Sequence, residues 1–274
     1  MAPGNPAHDR AEIGVIGGSG LYALLEDSHE VTVSTPYGKP SDPAVIARIG
    51  DRSVAFIPRH GRDHRHPPHR INYRANLWTL RALGVRQVLA PCAVGSLRAE
   101  LGPGTLVIPD QLVDRTTGRA QTFFHEGACH IPFADPYCPV GRATAMIAAT
   151  RSGVHAVDGG AMVVVEGPRF STRAESQWFA AQGWSLVNMT GHPEAVLARE
   201  MALCYTCIAL VTDLDAGIGE GSGVTQDEVF ELFAQHVDRL RDIVVSAAAA
   251  LPLERSCPCS RALEGLRPPF TLPE

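Results

Sequence analysis

What the sequence lacks narrows it first. It has no run of about eighteen apolar residues, so no transmembrane helix is expected. It has no basic excess: 24 Lys and Arg stand against 29 Asp and Glu, for a formal net charge of -5. A global field for nucleic acid is therefore not expected, and an anionic ligand would need a local cluster of positive groups. A disulfide framework is also missing, because the seven cysteines are odd in number and scattered. No repeat at a fixed period appears, and no linker before Pro252. The polar lead over residues 1–10 lacks the apolar core of a signal peptide, which makes the cytoplasm the expected compartment.

What is present reads as one globular unit. Apolar strands are expected near 13–16, 29–34, 44–49, 52–57, 85–94, 106–108, 111–113, 161–166, 184–188 and 203–212. Helical spacing or capping marks 72–83, 140–151, 172–182, a stretch from Pro193, and a long segment after Thr225 in which Glu228 completes a capping box. Strands that alternate with helices and are almost wholly apolar imply an α/β fold, a mixed, mostly parallel central sheet flanked by helices on both faces. The expected organisation is a flexible lead over 1–10, a single domain over 11–252 and an extended tail over 253–274.

Two cysteine pairs need weighing. Cys204 and Cys207 have CxxC spacing, but they lie in an apolar strand that places them on opposite faces. Cys257 and Cys259 lie in an exposed-looking tail, where a strained disulfide or a bound metal competes with two free thiols. His64, His66 and His69 do not match a zinc spacing, so they read as loop residues.

In sheets of this kind ligands gather at the carboxyl ends of strands, so each strand end is a candidate. Gly18-Ser-Gly20-Leu-Tyr-Ala23 has the spacing of a dinucleotide fingerprint, but no acid ends the next strand. Two readings of that loop stay open: a nest of N–H groups with the Ser19 hydroxyl around an anion, or a bare turn. Arg59 and His60 follow an apolar strand, where a guanidinium without an anion is costly. Both could donate to phosphate oxygens, or the pair could belong to a surface salt bridge.

Thr212-Asp213-Leu214-Asp215 is the sharpest signal. Its two carboxylates share one face of an extended segment, about 6–7 Å apart. Carboxyls that close can hold different protonation states. One would donate to a ring nitrogen and the other accept from an amino group, which fits the N7/N6 edge of adenine. A solvated acidic loop is the competing reading.

Taken together, the strand ends resemble a known family. Ile16-Gly-Gly-Ser-Gly-Leu21, Thr35-Pro-Tyr-Gly38, Arg59-His-Gly61, Asn72-Tyr-Arg-Ala-Asn-Leu-Trp78 and Gln111 to Thr116 carry the likeness in the first half. Glu166-Gly-Pro-Arg-Phe-Ser171, Asn188-Met-Thr190 and Thr212 to Asp215 carry it in the second. In that order they are similar to the S-methyl-5'-thioadenosine phosphorylases of the purine nucleoside phosphorylase superfamily.

The resemblance implies reversible phosphorolysis in purine and methionine salvage by a homotrimer, or a dimer of trimers, with inorganic phosphate as co-substrate and no cofactor or metal. It assigns phosphate to Ser19, Arg59, His60, Cys92, Ala93 and Thr190. It assigns the ribose to Met189, and the base to Phe170, Ser171, Asp213 and Asp215. His130 would reach a neighbouring subunit's 5' pocket, which Val229, the 216–226 loop and the C-terminal tail would complete. Cys92 departs from the Thr of many members. Gly191-His192 departs from animal-type members and is similar to inosine-preferring relatives, which also tend to carry Asn at the position of Asp213. Methylthioinosine, inosine, guanosine or another 5'-substituted 5'-deoxyadenosine are therefore the alternative substrates.

Overall fold

The computed structural model describes residues 9–18, 20, 28–219 and 223–274. Among these residues the chain forms one sheet of eleven strands. Its first half holds β1 (Ile13–Gly17), β2 (His29–Val31), β3 (Ala44–Ile49), β4 (Arg52–Pro58), β5 (Gln87–Ser96) and β6 (Leu106–Ile108). Its second half holds β7 (Gln111–Arg115), β8 (Ala156–Asp158), β9 (Ala161–Val165), β10 (Leu186–Asn188) and β11 (Cys204–Leu214). Five α-helices among the described residues cover it: α1 (Tyr73–Ala82), α2 (Pro139–Arg151), α3 (Arg173–Ala181), α4 (Gly191–Glu200) and α5 (Gln226–Ala250).

Alternation along the strands builds two layers of core. In β4, Ala55 and Ile57 join the cluster that holds Leu77 and Leu80 of α1 and Leu197 of α4. Val54 and Phe56 face the other way, toward Ala145 of α2 and Ile243 and Val244 of α5. Every residue of β1 is buried, which is why the strand reads as a continuous apolar run. The helices begin where side chains satisfy their free N–H groups. Asn72 caps α1, Thr172 with Glu175 forms a capping box for α3, and Thr225 with Glu228 does the same for α5.

The pairing explains why strand ends converge. β1 runs parallel to β4 and β5, and β5 runs parallel to β11, so four carboxyl ends lie on one side of the sheet. β10 runs antiparallel to β5, with Val187 opposite Gly95, which carries Asn188 back to the same place. Between Val211 and Asp213 the β11–β5 register shifts, and this bulge inserts Thr212.

Several boundaries differ from the sequence expectation. β8 was not foreseen, and β11 continues through Asp213 to Leu214 rather than ending at 212. α4 starts at Gly191, before Pro193, with a non-helical His192 inside its first turn. The expected exposure of Cys257 and Cys259 is overturned: both are buried, against Cys138 and Cys204. The separation of the CxxC pair onto opposite faces is observed, since Cys207 faces Cys92 with 3.5 Å between sulfurs while Cys204 faces Cys257. No helix among the described residues is long and apolar enough to cross a membrane.

Candidate active site

The converging strand ends line a cavity of about 490 Å³. It takes walls from Gly18 after β1, Arg59 and His60 after β4, Cys92 to Gly95 on β5, and Asp213 and Asp215 at the end of β11. Asn188, Met189 and Thr190 enter from the end of β10, and Phe170 and Ser171 from the loop after β9. Val229, Phe230 and Phe233 of α5 add an apolar wall.

Asp213 and Asp215 are held by different means. Asp215 is buried, and its Oδ2 accepts the Ser176 hydroxyl at 2.6 Å. Asp213 Oδ2 accepts the Thr212 hydroxyl at 2.8 Å. Burial pushes the Asp213 carboxyl up to about 6, with the nearby acidic groups of Asp215 and Glu228 acting in the same sense and the Thr212 hydrogen bond opposing. Both side chains crowd Gly95. A Cβ at that position would stand 2.9 Å from Asp213 Oδ1, so the glycine makes room for the carboxylate. These residues are thus not a solvated acidic loop.

Arg59 is placed in the cavity wall, but its anionic partner is internal. Glu194 takes Nε at 2.8 Å through Oε2 and Nη2 at 2.8 Å through Oε1, and Tyr205 donates its hydroxyl to the same Oε1. Nη2 also reaches the Ile16 carbonyl and Nη1 the Pro91 carbonyl. The surface salt bridge is corrected to a buried one, and four of the five guanidinium N–H groups are committed to protein.

His60 also differs from a simple donor. Its Nδ1 lies 2.8 Å from the His66 carbonyl, which can only accept, so Nδ1 carries the proton and Nε2 a lone pair. Burial pushes the imidazole down to about 4, so the ring is neutral near pH 7. His64 was expected to be a plain loop residue. Instead it stacks on His60 at 4.3 Å, meets Phe230 edge-on and lines the cavity.

The remaining candidates divide. Cys92, Ala93, Thr190, Phe170, Ser171, Met189 and Val229 all line the cavity. The Ser171 hydroxyl is buried without a hydrogen-bond partner among the described residues, as expected of a group that meets a ligand. Ser19 and residues 220–222 of the 216–226 loop lie outside the described residues. His130 is not in the cavity wall of its own chain. The C-terminal tail does not line it either. The tail packs Phe270 on Trp78, Phe123 and Phe124 instead, because its cysteines hold it at the start of β11 rather than at the Asp213 end.

Sequence reasoning assigned no role to the groups that hold the wall in place. Asn188 donates Nδ2 to the Ala93 carbonyl at 3.0 Å, while its Oδ1 accepts the N–H groups of Thr190 and Gly191 at 2.7 Å each. Arg119, almost fully buried, ties two loops together. It donates to the carbonyls of Met189 and His192 on one side and Glu166 on the other. An arginine in a polar loop gave no signal of this, whereas Asn188 as the last residue of an apolar strand did.

A family model for the phosphorylase superfamily matches residues 12–249. A purine nucleoside phosphorylase of Streptomyces coelicolor is 59% identical, over 96% of this chain and 98% of that protein. An S-methyl-5'-thioadenosine phosphorylase of Mycolicibacterium smegmatis is 56% identical, over 95% of this chain and 99% of its own. The crystal structure of a methylthioadenosine phosphorylase from an antarctic soil metagenomic library superposes with a TM-score of 0.89 at 38% identity, covering 94% of this chain and 92% of that one. The strand-end cavity and the match over nearly the whole chain lead to one assignment: this protein belongs to the phosphorylase superfamily.

Proposed function

We propose that this protein catalyses the phosphorolysis of S-methyl-5'-thioadenosine to adenine and 5-methylthioribose 1-phosphate. The observation that carries the reading is Asp213: a carboxyl poised near 6 beside a second carboxyl, in a cavity whose wall also holds a buried guanidinium. An oxygen of phosphate attacks the anomeric carbon as the bond to the base breaks and its electron pair moves onto the purine. Asp213 gives its proton to N7, which neutralises the leaving group, and Asp215 accepts from the 6-amino group. Phosphate is held by the last Nη1–H of Arg59, by Thr190, by Cys92 and the backbone at Ala93, and by Ser19 of the glycine loop. His60 Nε2 accepts the hydroxyl of monoprotonated phosphate, a role that suits its neutral ring.

Phe170 and Ser171 border the base, and Met189 lies against the ribose. The wall of Val229, Phe230 and Phe233 suits an apolar methylthio group, since each buried methylene-sized group contributes about 0.8 kcal/mol. No cofactor takes part in this chemistry. A cytoplasmic homotrimer completes the proposal, with His130 serving a neighbouring subunit's 5' pocket.

The name of the Streptomyces coelicolor relative and the pair Gly191-His192 favour a second reading, in which the substrate is a 6-oxopurine nucleoside. Against it, His192 is buried with Nε2 3.2 Å from Asp114 Oδ2, outside the cavity wall. Initial rates with S-methyl-5'-thioadenosine, methylthioinosine, inosine and guanosine separate the two. We expect kcat/KM for S-methyl-5'-thioadenosine to exceed the others by at least about tenfold, since a site built to pair an amino group leaves its acceptor unpaired on an oxo group. A faster reaction with inosine or guanosine would overturn the adenine assignment.

A further inference from the structure

We propose that Cys138, Cys204, Cys257 and Cys259 form a structural zinc site that fastens the C-terminal tail to the domain. The four sulfurs all lie within 4.8 Å of one another, and all four residues are buried. A tetrahedral zinc with bonds of about 2.3 Å holds its sulfurs about 3.8 Å apart, so small movements close the cage. All four cysteines are free thiols, and the 3.2 Å between Cys204 and Cys257 is well beyond a disulfide bond of about 2.05 Å. Four thiolates and no open position is the pattern of a structural site rather than a catalytic one.

Cys138 caps α2, where its sulfur accepts the Gly141 N–H at 3.4 Å, which fixes this ligand at the start of the helix. On binding, each thiol releases its proton to solvent as its bond to zinc forms, with no change of oxidation state. The ligands come from three separate places: the turn before α2, the first residue of β11, and the tail. Only folding brings them together, so the metal would stabilise the native chain. Cys204 and Asp213 lie at opposite ends of β11, about 30 Å apart by strand rise, so the site would act on stability and leave turnover unchanged.

The test is elemental analysis of the full-length protein purified under reducing conditions from zinc-supplemented cells, with intact mass and thiol titration alongside. We expect about one zinc per chain, and its loss in the double variant Cys257→Ser/Cys259→Ser with a fall in Tm of about 10 °C or more. If that variant does not fold, replacing zinc by cobalt in the wild type gives the decisive signal: thiolate-to-cobalt charge-transfer bands support four-sulfur ligation. Zinc-free protein with all thiols titratable, a mass short of two hydrogens per disulfide, iron in place of zinc, or zinc retained by the double variant would each overturn the proposal.

Discussion

Asp213→Asn is expected to lower kcat/KM for S-methyl-5'-thioadenosine by about a hundredfold or more while raising the stability of the protein. The kinetic half follows from the proton. An amide keeps the size of the side chain and can still accept the Thr212 hydroxyl, but it cannot transfer a proton to the leaving base. The stability half follows from the raised carboxyl. Its folded value of about 6 lies above the 3.8 of an unperturbed Asp, so its stabilising contribution is present below about pH 4 and lost as pH rises through 6. Near pH 7 the buried charge therefore costs up to about 3 kcal/mol, and the neutral amide removes that cost. The variant should melt a few degrees higher than wild type at pH 7 and at nearly the same temperature at pH 4.

The pH profile carries the same signature. Wild-type kcat/KM should fall as pH rises above 6, because the reactive protonated form disappears. Titration of phosphate affects both proteins alike, so the ratio of wild type to variant isolates Asp213. A ratio that stays constant from pH 5 to pH 8 would show that this group is not the proton donor.

Removing Glu194 should be the most destabilising single change in the site. Glu194→Ala leaves a buried guanidinium without its carboxylate and strands the Tyr205 hydroxyl as well. Breaking a buried pair from one side costs about 3–5 kcal/mol, which lowers Tm by about 10 °C for a domain of this size. The account also gives a signed ligand effect. Phosphate supplies the missing counter-charge, so saturating phosphate should raise the Tm of the variant more than that of wild type. Thermal melts with and without phosphate check both halves. A variant as stable as wild type would mean that Arg59 is satisfied by the Ile16 and Pro91 carbonyls alone.

How much of this was legible in the sequence depends on the distance over which each feature is encoded. Strand ends are local: an apolar run that stops at Arg59, at Gly95 or at Asp213 announces itself, and parallel pairing then gathers those ends without further instruction. The capping box at Thr225 and Glu228 is equally local. β8 was hidden because three residues ending in Asp158 carry too little apolar pattern.

The site's internal balance was not legible, because it is written across the chain. The Arg59–Glu194 pair joins residues 135 apart, and neither neighbourhood names the other. The role of His64 rests on a stack over His60, and the raised value of Asp213 rests on burial, which a sequence does not state. The cysteine cluster is the clearest case. Cys257 and Cys259 look exposed next to Pro252 and Pro258, and only the return of the tail to the start of β11 buries them.

The central claim is that phosphate, not water, cleaves the nucleoside here. Adenine release from S-methyl-5'-thioadenosine, followed in phosphate buffer and in a phosphate-free buffer of the same pH and ionic strength, tests it most directly. The account expects release to saturate with phosphate, to yield one 5-methylthioribose 1-phosphate per adenine, and to fall to background without phosphate. Equal rates in the two buffers, with free 5-methylthioribose as the product, would contradict it.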